Sequence, residues 1–137
     1  MTPVHFSLVH WCVLVVALLP IVCAGIAKAG SFRTPRSQGG YDNGDPRAWL
    51  ARQTDWRARA NAAQANSFEA LPFFIGAVVL AQQLGARQSL LDILAFVFVV
   101  LRVVYILLYV GGQATARSLV WTLALAVNVA ILFAGYH

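Results

Sequence analysis

The sequence predicts an all-α integral membrane protein, a single four-helix bundle, and three observations carry that prediction. Of its 137 residues, 60% are apolar or aromatic and only 11% are charged, where a soluble domain has roughly 45–50% and about 25%. Mean hydropathy is correspondingly high, at +0.71. Apolar stretches recur near residues 6–27, 62–84, 90–110 and 117–135, each close to the roughly 20 residues needed to cross a bilayer core. Finally, the excess of 10 basic over 5 acidic residues is concentrated. Lys28, Arg33, Arg36, Arg47, Arg52, Arg57 and Arg59 follow the first apolar run, a pattern of membrane topology rather than of nucleic-acid binding. The composition excludes both a disordered chain and a water-soluble globule.

The first run, Phe6 to Ala27, contains Trp11 and Pro20. No Lys or Arg precedes it and it is long for a signal-peptide core, so it is expected to be a retained helix despite the small-residue pattern Ala27-Lys28-Ala29. Cys12 and Cys23 lie about 16 Å apart along that helix and cannot bond to each other within it. A loop rich in Gly, Ser, Arg, Pro and Asn follows, assigned to a cytoplasmic segment over 28–48. Asp45-Pro46 has the form of an N-cap and first helical residue. It is expected to open one long helical stretch reaching about Leu84. At 1.5 Å per residue that stretch would be about 60 Å long, so its first part must lie outside or along the membrane. Trp49 and Trp56, two turns apart, would suit the interface.

Short links, Gln82 to Gln88 and Gly111 to Arg117, separate the remaining runs. Four spans put the first and third loops on one side with every basic residue except Arg87 and Arg102. The positive-inside rule then sets both termini outside and the basic loops in the cytoplasm.

Polar residues inside the spans are the functional signal. Arg59, Asn66 and Glu69 share one face of the second span, and Arg102, Tyr105 and Tyr109 share one face of the third. Antiparallel passage puts both stripes in the cytoplasmic half. An ionised side chain in lipid costs at least several kcal/mol unless it is paired or hydrated, so Glu69 and Arg102 are expected to lie together. A Glu, two Arg and two Tyr at one depth suit a hydrated, anion-accepting site. Arg117 and Ser118 open the fourth helix where a cation could hold a carboxylate or thiolate. Asn61, Gln64 and Asn128 read as interhelical packing amides, and Phe73, Phe74, Phe96 and Phe98 as lipid or packing contacts. His5, His10 and His137 lie near the outer ends and no metal site is expected. No phosphate loop, Cys-x-x-Cys or nucleophile elbow occurs.

These residues resemble the MAPEG family, the membrane-associated proteins in eicosanoid and glutathione metabolism. Asn66-Ser67-Phe68-Glu69-Ala70-Leu71-Pro72 is similar to the family's Asn-x-x-Glu-x-x-Pro signature. The segment Arg102 to Tyr109 is similar to its Arg-x-x-Tyr-x-x-x-Tyr, and Arg117-Ser118 follows at a matching distance. The resemblance runs from about Arg57 to the C-terminus. It implies a homotrimer that holds glutathione between neighbouring subunits near the cytoplasmic face. Asn66 and Glu69 would bind the peptide backbone and amino group, Tyr105 and Tyr109 would add hydrogen bonds, and Arg117 would stabilise the thiolate, with Ser118 beside it. Two departures stand out. Ala62 occupies the place of an arginine found four residues before the asparagine, with Arg59 matching a second arginine of several members. Trp121 stands where some members have tyrosine.

The leading expectation is therefore a glutathione-dependent transferase or peroxidase acting on hydrophobic electrophiles, in a bacterial inner membrane, with glutathione as co-substrate. The alternative is a non-catalytic scaffold or lipid-binding protein of the same fold. A proton-coupled exporter fits poorly, since its pattern needs an acid in the first helix and none is present.

Overall fold

The computed structural model describes residues 5–137. Five α-helices form: α1 (Leu8–Lys28), α2 (Pro46–Ala51), α3 (Asp55–Gln83), α4 (Gln88–Val110) and α5 (Ala114–Phe133). Four of them, α1, α3, α4 and α5, are long and apolar enough to cross a membrane. They run alternately up and down. α1 packs on α3 and α4, and α5 packs on the other side of the same pair.

The expected continuous helix from Pro46 to about Leu84 is broken. Asp45 does cap α2, its Oδ1 accepting the Ala48 N–H at 3.2 Å, but α2 ends at Ala51 and the chain turns before Asp55. Asp55 sits at φ +54°, a left-handed conformation that Asp tolerates better than most residues. The break changes the two tryptophans that were assigned to the interface. Trp49 is 2% exposed, and its Nε1–H donates to the Gly39 carbonyl at 3.1 Å. Trp56 remains exposed. Because the turn rotates α2 relative to α3, two residues spaced for one helical face point in different directions.

Trp49 organises the loop that precedes α2, which is a packed element rather than a free polar connection. Tyr41 meets the Trp49 ring edge-on at 5.3 Å and Phe32 at 5.1 Å. Lys28 Nζ stands 4.8 Å over Tyr41, and Arg36 pairs with Asp42 at 3.6 Å. Gly40 is obligatory, since a Cβ there would lie 1.8 Å from the Thr34 carbonyl oxygen.

Two arginines at the start of α3 fasten the ends of its neighbours. Arg57 Nη1 donates to the Ala27 carbonyl of α1 at 2.8 Å, and Arg59 Nε to the Val110 carbonyl of α4 at 2.9 Å. Both carbonyls lack an intrahelical donor and sit at the negative end of a helix dipole, so a guanidinium satisfies them doubly. At the opposite end Asp92 of α4 does the reverse. Its Oδ1 accepts from the Val9 N–H at 3.0 Å, from Ser7 Oγ at 3.3 Å and from Gln88 Nε2 at 2.9 Å. A carboxylate thereby faces the positive end of α1. His10 belongs to the same cluster, its Nδ1 accepting the Ser7 N–H at 3.0 Å.

The main core fills this Asp92 half of the bundle, with Val9, Val16, Ala77, Leu91, Ala95 and Ile131 packed around a stacked Phe74–Phe98 pair. The two rings are 4.5 Å apart and 7° from parallel. Toward the basic end a smaller cluster of Leu19, Cys23, Ala63, Tyr105 and Ile106 takes over. The polar residues lie beside that second cluster.

Candidate functional site

Arg102 anchors the site. It is 2% exposed on α4, and its Nη2 donates to Asn66 Oδ1 at 2.8 Å and to Ser67 Oγ at 3.5 Å across the α3 interface. The expected approach to Glu69 is not made: no Glu69–Arg102 ion pair forms among the described residues. Asn66 and Glu69 lie on one helical face, three residues apart, and the rotation of α3 brings the amide rather than the carboxylate to the guanidinium. Glu69 is exposed on the single chain and lines the mouth of a cavity that Arg102 lines from within.

From Arg102 a ladder of cations and rings runs to the basic end. The Arg102 guanidinium stands 4.3 Å over the Tyr105 ring. Tyr105 meets Tyr109 edge-on at 5.7 Å, and Arg117 of α5 stands 4.3 Å over Tyr109. Successive turns of α4 supply the first three members because positions 102, 105 and 109 share one face. Each ring presents its electron-rich face to a guanidinium. The two arginines are thus held at fixed separation with N–H groups still available.

Two adjoining spaces follow the ladder. The inner one, about 160 Å³, is lined by Asn66, Glu69, Ala70 and Phe73 of α3, Arg102 of α4, and Trp121, Leu125 and Asn128 of α5. The outer one is a wider hollow, about 420 Å³, lined by Asn66, Tyr105, Tyr109, Arg117, Ser118, Trp121 and Thr122. Asn66 and Trp121 belong to both. Seven of the eight residues singled out from sequence line one or both spaces, Ser118 being exposed with its carbonyl accepting from Thr122 Oγ1 at 2.9 Å. The eighth, Arg59, lines neither, its Nε engaged at the end of α4.

A family model matches residues 8–136, nearly the whole chain. The chain belongs to the MAPEG family. No curated protein and no solved structure matches it. In this MAPEG chain the Asn-x-x-Glu segment of α3 and the Arg-x-x-Tyr-x-x-x-Tyr segment of α4 thus face one another across a single interface.

Three residues that sequence reading passed over or read otherwise also belong here. Ser67 is buried and takes part in holding Arg102. Phe73, grouped with lipid and packing contacts, lines the inner cavity. Asn128 was read as a packing amide, yet its Oδ1 has no hydrogen-bond partner, and neither has Gln64 Oε1. A second hollow, on the outer face of α3 and α2, gathers Arg47, Asn61, Ala62 and Gln64. Arg47 and Ala62 line it together because α2 and α3 are separate helices, and no spacing rule predicts that.

Proposed function

We propose that this MAPEG protein is a glutathione-dependent transferase or peroxidase of the membrane, acting on hydrophobic electrophiles. The observation that carries the reading is the ladder from Arg102 through Tyr105 and Tyr109 to Arg117. It lays two cations and two phenols along one face, at the spacing of an elongated anion with several acceptors. Glutathione is such an anion. Asn66 and Glu69 engage its backbone and amino group, Arg102, Tyr105 and Tyr109 support it, and Arg117 stands beside the sulfur with Ser118 next to it. A thiol attacks as thiolate, and an adjacent cation lowers its pKa and raises the reactive fraction. Arg59 contributes mainly by setting the end of α4 against α3. Arg47 supplies the cation that Ala62 does not.

The exposed carboxylate of Glu69 supports a homotrimer, since a charge on the outer face of a spanning helix is costly against lipid and is relieved when a second copy covers it. The concentration of arginines at one end supports a cytoplasmic position for the ladder, with both termini outside, in a bacterial inner membrane. Isothermal titration of the detergent-solubilised protein with glutathione, followed by an assay with a chlorinated nitrobenzene, tests the reading. Binding with turnover is expected. Binding without turnover would favour a scaffold of the same fold, and no binding would remove glutathione altogether.

A further inference from the structure

The inner cavity contains a polar group for which the glutathione reading has no use. Asn128 is 3% exposed and lies seven residues beyond Trp121 on α5, about 10 Å further from the basic end. Its Oδ1 is buried and has no partner, although an amide left unsatisfied in an apolar phase is destabilising. Around it the lining is apolar, formed by Ala70, Phe73, Leu125 and Trp121. Arg102 Nη2 already has acceptors in Asn66 and Ser67. Asn128 Oδ1, at the far end of the cavity, is a buried acceptor that no donor reaches. A matching ligand carries an O–H or N–H donor on a compact apolar body. On the single chain the cavity opens between α3 and α5, where Phe73, Trp121 and Leu125 are all exposed.

We propose that Asn128 is the specificity residue of a second-substrate subsite, accepting a hydrogen bond from a hydroxyl or N–H group on a compact lipophilic molecule that enters from the bilayer. The assignment rests on the transferase reading for its purpose. Because the inner cavity shares Asn66 and Trp121 with the outer hollow, a molecule bound against Asn128 is held next to the thiolate that Arg117 would stabilise. Its binding, however, can be read without glutathione.

The probes are 4-bromophenol and bromobenzene, alike in shape except for the hydroxyl donor, with bromine quenching of Trp121 emission as the signal and Trp121→Phe defining that component. At equal concentration in the membrane phase, 4-bromophenol should quench at about tenfold lower concentration than bromobenzene, the worth of one hydrogen bond to a buried acceptor. The preference should vanish in Asn128→Leu and return in part in Asn128→Thr, which keeps an acceptor. Equal quenching by the two probes in the unmodified protein, as for a cavity that holds only water, overturns the proposal. So does a preference that survives Asn128→Leu. Glutathione titration of the same samples separates the two claims: a protein that shows the phenol preference and binds no glutathione overturns the transferase reading and leaves the subsite standing.

Discussion

Arg102 donates to Asn66 Oδ1 at 2.8 Å across 36 residues of sequence, tying α4 to α3 deep inside the bundle. The bond decides how the site is built. A guanidinium held by a neutral amide and a serine hydroxyl keeps its charge and its remaining N–H groups for a ligand, whereas one paired with Glu69 would be neutralised before any ligand arrived. Arg102→Met should therefore have two separable effects. Asn66 and Ser67 lose their donor, which should cost about 1–3 kcal/mol of stability, read as a lower Tm in detergent. Glutathione affinity should also fall, by at least tenfold. Unchanged values for both would show that the bond is incidental.

Arg59 provides a sharper test because two roles compete for it. Its Nε caps α4 at Val110, so Arg59→Ala should lower stability by about 1 kcal/mol and speed amide exchange in the last turn of α4. Glutathione affinity should change little. A large loss of affinity at unchanged exchange rates would return Arg59 to the binding set.

Arg47 and Ala62 line one hollow, and the two positions should be exchangeable as sources of charge. Arg47→Ala should weaken glutathione binding about tenfold, the worth of one charge-assisted hydrogen bond. Adding Ala62→Arg to that variant should restore most of it. Calorimetry on the four combinations measures the exchange, and strictly additive effects would mean that the two sites serve different groups.

Much of this was legible in the sequence because polar residues in apolar helices are few. Positions 102, 105 and 109 announce a stripe by spacing alone, and Asn66 and Glu69 another. What spacing leaves open is rotation about the helix axis by a fraction of a turn. That rotation chose Asn66 over Glu69 as the partner of Arg102. The same limitation hid Trp49, whose direction depends on a turn at 52–54 that no Gly or Pro marks. Asp92 and Asn128 were illegible for another reason: a single polar residue has no period. Asp92 acquires meaning only from the end of α1 beside it, and Asn128 only from the cavity it faces.

The packed loop before α2 should be as cooperative as its contacts imply. Gly40→Ala sets a methyl against the Thr34 carbonyl oxygen, which a Cβ would meet at 1.8 Å, so the turn must open. Gly39 then loses its position under Trp49 Nε1. The expected outcome is a red-shifted tryptophan emission and protease cleavage between residues 30 and 45, with helix content retained. An unchanged spectrum would mean that the aromatic cluster holds Trp49 without the turn.

Glu69 offers the last test, and it concerns what a missing ion pair means. If the carboxylate were a hidden partner of Arg102, removing either charge would strand the other inside the bundle, and the double variant would recover what the singles lost. The structure instead places Glu69 at the cavity mouth, exposed on the single chain, with Arg102 satisfied elsewhere. Glu69→Gln should then leave the Tm within about 1 kcal/mol equivalent while reducing glutathione affinity at least tenfold. Combining it with Arg102→Met should give a stability loss equal to that of Arg102→Met alone. A coupling energy above about 1 kcal/mol in the stability cycle would show that the two charges do meet, through movement or through water. Coupling seen in glutathione affinity but not in stability would point instead to a ligand that bridges them, which is the arrangement the exposed carboxylate and the buried guanidinium are placed to accept.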